Sequence, residues 1–421
     1  MAKILIITVG GSAEPILEFL EAYRQEAVLI YFICTGGPGK VSTSNLVDGD
    51  GDVFPAPEKS NSCGIQIGKI SNSRKNIIQR SGYKGDYTKV ILDNPDDFEE
   101  VHLKISSTIR EAKESGYKII SDFTGGTKTM SAVLAMLSVL DFDINLSLTT
   151  GQRKDTEKVK GFSFSRIINL DSARVNQVFQ QADILTQKYL YYSAEELFSR
   201  LLRFGLQQNI LTQVEEKYNK CIALSLWDRF DYTGAFKILS DNPDLFPEGF
   251  KYLLKIFDKS NCSSYEKVFD LFCNAERQAY NGYYDNAVAR VYRALELFAQ
   301  IRLEKKYSIK TSCLEKSIDK VIDKEKWESK RREDGKIQIG LIDSYELLLE
   351  LLDPVGNAYK DYKGELFNIL NLRNNSKLAH GDNPVNSEQW DEFSDFFRSF
   401  IGECCKNIGV TPEYFQLPKT I

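Results

Sequence analysis

The chain has 421 residues, 54 Lys and Arg against 59 Asp and Glu, a net charge of −5 and 42% apolar residues. At roughly 100–200 residues per domain, this length implies two or three domains, each able to bury its own core. The acidic balance excludes a surface coated in positive charge for non-specific nucleic-acid binding but leaves room for a local basic groove.

The eight cysteines are scattered, no C-x-x-C pair occurs, and only two histidines, His102 and His380, are present. These spacings fit no zinc framework, so no metal or other cofactor is expected, and reduced thiols in a cytosolic protein are. Met1-Ala2-Lys3 runs directly into Ile4-Leu5-Ile6-Ile7, an apolar run too short for a signal peptide's core and without a cleavage site. No run of about 18 uncharged apolar residues occurs, so no membrane-spanning helix and no membrane partner are expected.

From Lys3 to about residue 170, short apolar runs alternate with amphipathic segments. KILIITV predicts a buried strand ending at Gly10-Gly11, followed by a helix from Ser12 to about Gln25. AVLIYFICT predicts a second strand ending at Gly36-Gly37, YTKVILD a third, and KIISDF a fourth that leads into Thr124-Gly125-Gly126. Thr127 to Leu140 reads as a helix, and INLSLTT and GFSFSRIINL as closing strands. Strands alternating with helices imply a largely parallel sheet covered on both faces. Residues 38 to about 85, rich in Gly, Asp, Ser and Pro, interrupt this pattern as an insertion or hairpin over the sheet edge.

Beyond Asp171 the strand signals stop. Residues 171–270 read as a helical linker with turns near Asp241-Asn242-Pro243 and Phe246-Pro247, its core expected from Leu224, Trp227, Phe230, Phe236 and Leu239. Residues 271–421 read as a second helical domain. There Tyr283–Leu303 is amphipathic, with Val288, Val291, Tyr292, Leu295, Phe298 and Ala299 on one face and Arg290, Arg293, Glu296 and Gln300 on another. Trp390, Phe393, Phe397, Phe400 and Cys404 form a core stripe at spacings of three and four. The charged stretch from Lys324 reads as an exposed loop or helix end, with an RNA phosphate contact through Lys330, Arg331 and Arg332 as the less favoured reading.

Two constellations carry chemistry. The first is a set of strand-end turns, since open parallel sheets bind ligands beyond the carboxyl ends of their strands. They are Gly10-Gly11-Ser12, Thr35-Gly36 and Thr124-Gly125-Gly126-Thr127-Lys128. In the third, Asp122 closes the strand, the glycines let a ligand approach the backbone, and Lys128 sits at a helix amino terminus, where amides and dipole favour phosphate. The pattern is neither a P-loop nor G-x-G-x-x-G, and plain tight turns account for the glycines equally well at the first two sites.

The second constellation is LFNILNLRNNSKLAHGDNP. Seven helical steps would leave Arg373 and His380 about 20° apart on one face that also bears Leu366 and Leu370, with the helix stopped by Gly381-Asp382-Asn383-Pro384. His380 would then sit at a helix carboxyl terminus, where the dipole favours imidazolium. A ribonuclease that uses no metal needs proton transfer near neutral pH, which histidine supplies, and a cation on the phosphate, which the arginine fork supplies. Asn374 and Asn375 can orient substrate or histidine. The competing reading is an arginine bound to a carboxylate and a histidine buried in a hydrogen bond, and the residues alone do not decide between them.

In this order, the two constellations resemble the CARF–HEPN proteins of type III CRISPR systems. The glycine turn after the first strand and the Asp122-to-Lys128 turn match a CARF domain over residues 1–170. Arg373 and His380 match the HEPN motif, an arginine and a histidine four to six residues apart, and NGYYDNAVARVYRALELFAQIRL resembles the helix that precedes it. The spacing lies at the long end of that range, which would break the helix near Asn374-Asn375. The resemblance implies a Rossmann-like sensor of cyclic tetra- or hexa-adenylate, then an all-α linker and an all-α HEPN domain. It also implies a homodimer whose paired motifs cut single-stranded RNA without metal, leaving a 2′,3′-cyclic phosphate. Two alternatives stay open: a cyclic-oligoadenylate-binding regulator with an inert helical domain, and a sensor that also cleaves its own ligand through Ser12, Thr127 and Lys128.

Overall fold

The computed structural model describes residues 2–36, 42–49, 75–151, 163–257, 264–377 and 381–421. The chain divides into two compact units: Met1–Val178 with Leu201–Leu211, and Phe179–Arg200 with Thr212–Ile421. Among the described residues, no helix is long and apolar enough to cross a membrane.

The first unit runs β1 (Lys3–Thr8), α1 (Glu14–Tyr23), β2 (Ala27–Thr35), α2 (Ser44–Asp48), α3 (Ile77–Ser81), β3 (Asp86–Leu92), α4 (Phe98–Glu114), β4 (Lys118–Asp122), α5 (Lys128–Leu140), β5 (Ile144–Gly151) and β6 (Ser163–Ile167). The sheet order is β3-β2-β1-β4-β5-β6, parallel except for the antiparallel β5–β6 pair. Successive side chains of a strand point to opposite faces, so β1 serves two cores. Ile4 and Ile6 pack with Val101, Ile105 and Val133 of α4 and α5, while Leu5 and Ile7 pack with Ile16, Phe19 and Leu20 of α1.

Of the interruption expected over 38–85, the described part forms α2 and α3. Asn76 caps α3 by accepting the Gln79 N–H at 2.9 Å and donates to Gly49 O at 2.9 Å, tying the two ends of the insertion together. Residues 37–41 and 50–74, Gly37 among them, lie outside the described residues.

From Asp171 onward the chain is helical: α6 (Asp171–Thr186), α7 (Tyr191–Leu202), α8 (Gln208–Asp228), α9 (Tyr232–Asp241), α10 (Pro247–Phe257), α11 (Glu266–Tyr280), α12 (Tyr284–Tyr307), α13 (Lys324–Glu328), α14 (Leu341–Glu350), α15 (Pro354–Asn374) and α16 (Ser387–Asn407). In the second unit, Leu224, Trp227 and Leu239 are buried and Phe236 packs against them, as expected. Phe230 is a correction, because it lies outside that cluster, half-buried, with φ +65°. It closes α8 through Phe230 N–H to Trp227 O at 2.8 Å and Asp231 N–H to Leu226 O at 2.9 Å, a Schellman end that turns its side chain away from the helix's apolar face.

The largest core joins α11, α12, α14, α15 and α16, and the stripe Trp390, Phe393, Phe397, Phe400 and Cys404 lies within it. The carboxyl-terminal segment returns to the linker helices. Phe415 stacks on Tyr252 at 4.7 Å and on Trp227 at 5.8 Å, and Leu417 is buried beside them. The charged stretch begins in α13, whose Trp327 is buried. Lys330 pairs with Asp343 at 2.6 Å and Arg331 with Glu328 at 2.7 Å, so two of its three cations are already engaged.

Candidate functional site

The strand order reverses between β1 and β4, so the carboxyl ends of these two neighbours frame the crevice where such sheets take ligands. Gly10-Gly11-Ser12 and Thr124–Lys128 stand there together. Thr8 Oγ1 donates to Gly125 O at 2.7 Å. A Cβ on Gly125 would lie 2.5 Å from Thr8 O and 2.9 Å from Gly10 N, and one on Gly10 would lie 2.7 Å from Gly126 N. Gly126 has φ +82°. Gly10 and Gly125 are therefore required by backbone packing and Gly126 by its positive φ, whereas Gly11 is exposed with open space where its Cβ would be.

The hydroxyls divide differently. Thr127 caps α5, accepting Met130 N–H at 3.3 Å and donating to Pro95 O at 2.8 Å. Ser12 donates to Glu14 at 2.7 Å, the main reason that the Glu14 carboxyl falls below its usual range. Thr124 Oγ1 accepts Thr149 N–H at 2.8 Å. Lys128 is exposed and has no ion pair among the described residues, leaving a free cation at the positive end of α5.

Asp122 is fully buried beneath this turn. Its Oδ1 accepts Thr124 N–H at 3.0 Å, while Oδ2 is buried without a hydrogen-bond partner. Burial pushes its pKa up to about 6, against the pull of the Thr124 contact. Thr35 and Gly36 end β2 on the same edge, but their bonds run elsewhere. Thr35 exchanges bonds with Thr43 at 2.9 and 3.2 Å, and Gly36 N–H donates to Leu92 O at 3.0 Å.

In the helical half, the geometry expected of Arg373 and His380 is corrected. α15 ends at Asn374 with Asn375 as its cap, so no continuous helix spans the seven steps, and the break falls at Asn374-Asn375 as the long spacing implies. Ser376 N–H donates to Arg373 O at 3.0 Å, and Gly381 N–H donates to Ser376 O at 3.1 Å. A Cβ on Gly381 would lie 2.0 Å from Asn375 O, so only glycine fits. Residues 378–380, His380 included, lie outside the described residues.

Arg373 has no carboxylate partner among the described residues, which departs from the structural reading of this arginine. Its guanidinium lies over the Tyr292 ring at 4.6 Å and donates to Asn374 Oδ1 at 3.1 Å. By contrast, Arg302 pairs with the buried Asp353 at 2.8 Å and Arg277 with Asp228 at 2.7 Å. Asn374 and Asn375 are exposed. Sequence reasoning placed Tyr292 on a core face and missed its contact with Arg373, and it gave Asp285 and the close approach of Gly381 no role. The seven-residue spacing of Asp285 and Tyr292 in one helix was the available signal.

Residues 259–402 match a family model described as the Csm6 HEPN domain. Among solved structures 39 chains match. One is Enterococcus italicus Csm6 bound to cyclic hexa-2'-fluoro-hexa-dAMP, with a TM-score of 0.58 and 14% identity over 97% of this chain and 95% of that one. The fold is that of a CARF–HEPN protein. The segment that matches the Csm6 HEPN model includes Arg373, and the crevice between β1 and β4 lies in the amino-terminal sheet unit. No curated protein matches the chain.

Proposed function

We propose that this chain is an endoribonuclease of type III CRISPR antiviral defence, switched on by a cyclic oligoadenylate. The observation that carries the reading is Arg373, which has no carboxylate partner among the described residues, inside the segment that matches a Csm6 HEPN domain. The reaction is a transesterification that needs no metal and consumes no water. His380 serves proton transfer, the 2′-OH attacks the adjacent phosphorus, the bond to the 5′-oxygen breaks, and that oxygen leaves with a proton. Arg373 stabilises the charge on the phosphorane with two parallel donors. The products are a 2′,3′-cyclic phosphate and a 5′-hydroxyl.

The activator site lies at the ends of β1 and β4, where Gly10, Gly11 and Gly125–Lys128 meet, and Lys128 and the amino end of α5 take a phosphate. The Enterococcus italicus structure holds a cyclic analogue of six 2'-fluoro-deoxyadenylates, which makes cyclic hexaadenylate the first activator to try and cyclic tetraadenylate the second. The working unit is a cytoplasmic homodimer in which two motifs face one scissile phosphate of a single-stranded RNA. Ser12 and Thr127 already commit their hydroxyls to Glu14 and Pro95, which disfavours the alternative in which the sensor cleaves its own ligand.

A fluorescent RNA cleavage assay in EDTA, with each ring added separately, tests the proposal. Cleavage should appear with one ring, and His380→Ala should lower it by about 10²–10⁴-fold while ring binding persists. Undiminished cleavage by the purified His380→Ala protein sinks the assignment.

A further inference from the structure

The nuclease reading leaves α12 without a role, yet one face of that helix touches both flanks of the motif. Asp285 and Tyr292 are seven residues apart in α12, about 20° apart around the axis and roughly 10 Å along it. Tyr292 presents its ring to the Arg373 guanidinium at 4.6 Å. Asp285 Oδ2 accepts the backbone N–H of Val385 at 3.1 Å, on the segment that follows Gly381. Its Oδ1 is buried without a hydrogen-bond partner among the described residues.

The choice of an aromatic ring beneath Arg373 has a chemical consequence. A carboxylate there would neutralise the guanidinium and compete with phosphate, as Asp353 and Asp228 do for Arg302 and Arg277. A π face holds the plane of the guanidinium and leaves the N–H fork at its edge free to bond two phosphate oxygens. Glu296, one turn beyond Tyr292 in α12, is occupied by Arg293 at 2.6 Å. Asp285 stands in the first turn of α12, where the helix dipole favours negative charge, and a charged acceptor holds the Val385 amide more firmly than a neutral one.

We propose that Tyr292 and Asp285 are positioning residues of the nuclease motif. Tyr292 sets the plane of Arg373, and Asp285 anchors the Gly381–Val385 segment that follows the histidine in sequence. The inference rests on the nuclease reading, and the experiment separates the two. It uses the full chain, cyclic hexaadenylate or tetraadenylate as activator, and a single-stranded RNA bearing a fluorophore and a quencher.

Tyr292→Phe keeps the ring face and should retain wild-type turnover. Tyr292→Leu keeps apolar bulk without a π face and should lower kcat about tenfold with KM within about twofold. Asp285→Asn keeps an acceptor for Val385 but not its charge and should fall between wild type and Asp285→Ala, which should lose about tenfold in kcat. A merely structural role would lower the melting temperature and leave kcat of the folded protein unchanged. Should Tyr292→Leu fail to fold by circular dichroism, the Asp285 variants carry the test, alanine being well tolerated in a first helical turn. If Tyr292→Leu and Asp285→Ala both turn over within about twofold of wild type while His380→Ala is inactive, the positioning roles are overturned and the nuclease reading stands. No cleavage by the wild type, or full cleavage by His380→Ala, overturns the nuclease reading and this inference with it.

Discussion

In the sheet unit, every described residue with a left-handed backbone is a glycine: Gly82, Gly116, Gly126 and Gly205. In the helical unit, five such positions are occupied by Tyr189, Phe230, Ser264, Ser308 and Leu352, alongside Gly282, Gly335 and Gly409. Glycine thus announces the turns of the sheet unit, whereas several turns of the helical unit are imposed on side chains by the packing that follows them. Gly381 belongs to neither pattern. It is required by contact with Asn375, not by a positive φ.

The strongest way to break this comparison is Gly381→Ala. Its Cβ would clash with Asn375 O, so the backbone of Gly381 or Asn375 must shift. Displacing a catalytic segment by an ångström costs about 100-fold in rate, and that is the expected loss of RNA cleavage. Isothermal titration with the activating ring should find binding unchanged, since the substitution touches only the helical unit. Wild-type cleavage by Gly381→Ala would show that the close contact has no functional weight.

The same contrast explains what was legible in the sequence. The strand-end turns could be read because glycines and short apolar runs mark them, and the strand order then brings residues 10 and 125 together. Their division of labour could not be read: Gly10 and Gly125 serve backbone packing, Gly11 is open, and the Thr127 hydroxyl is spent on a cap. In the helical unit, Arg373 stood out by residue type. The continuous helix drawn from Arg373 to His380 gives way to the break that the long spacing implied, since α15 ends at Asn374. Phe230 failed for a related reason, an aromatic at a left-handed helix end being indistinguishable from a core residue by spacing.

A second test sharpens the sheet side. Asp122 is fully buried, and its pKa is pushed up to about 6 from 3.8, so the folded chain holds this proton to higher pH than the unfolded chain. The group's contribution to stability is therefore full below about pH 4, falls as pH rises through about 6 and is level above. Asp122→Asn cannot ionise, and its Oδ1 still accepts Thr124 N–H. Local stability at β4, measured by amide hydrogen exchange, should rise by about 2–3 kcal/mol at pH 7.5 and match wild type near pH 4. An equal difference at both pH values would remove the buried charge as its cause.

The smallest expected effect returns to the helical side. Leu352 has φ +56° and is 79% exposed, so its side chain contributes little burial in exchange for the strain. The conformation serves its neighbour. Asp353 N–H donates to Leu348 O at 2.9 Å, and the buried Asp353 carboxylate then caps α15 and pairs with Arg302 at 2.8 Å. Glycine adopts this backbone without the Cβ clash, so Leu352→Gly should stabilise the helical unit by about 0.5–1 kcal/mol, a rise of about 2 °C in its melting temperature. Phe230→Gly relieves the same strain but gives up a half-buried ring that faces Tyr232 at 6.3 Å, so its gain should be smaller or absent. The reverse order in differential scanning calorimetry would mean that side-chain packing, and not backbone strain, governs these helix ends.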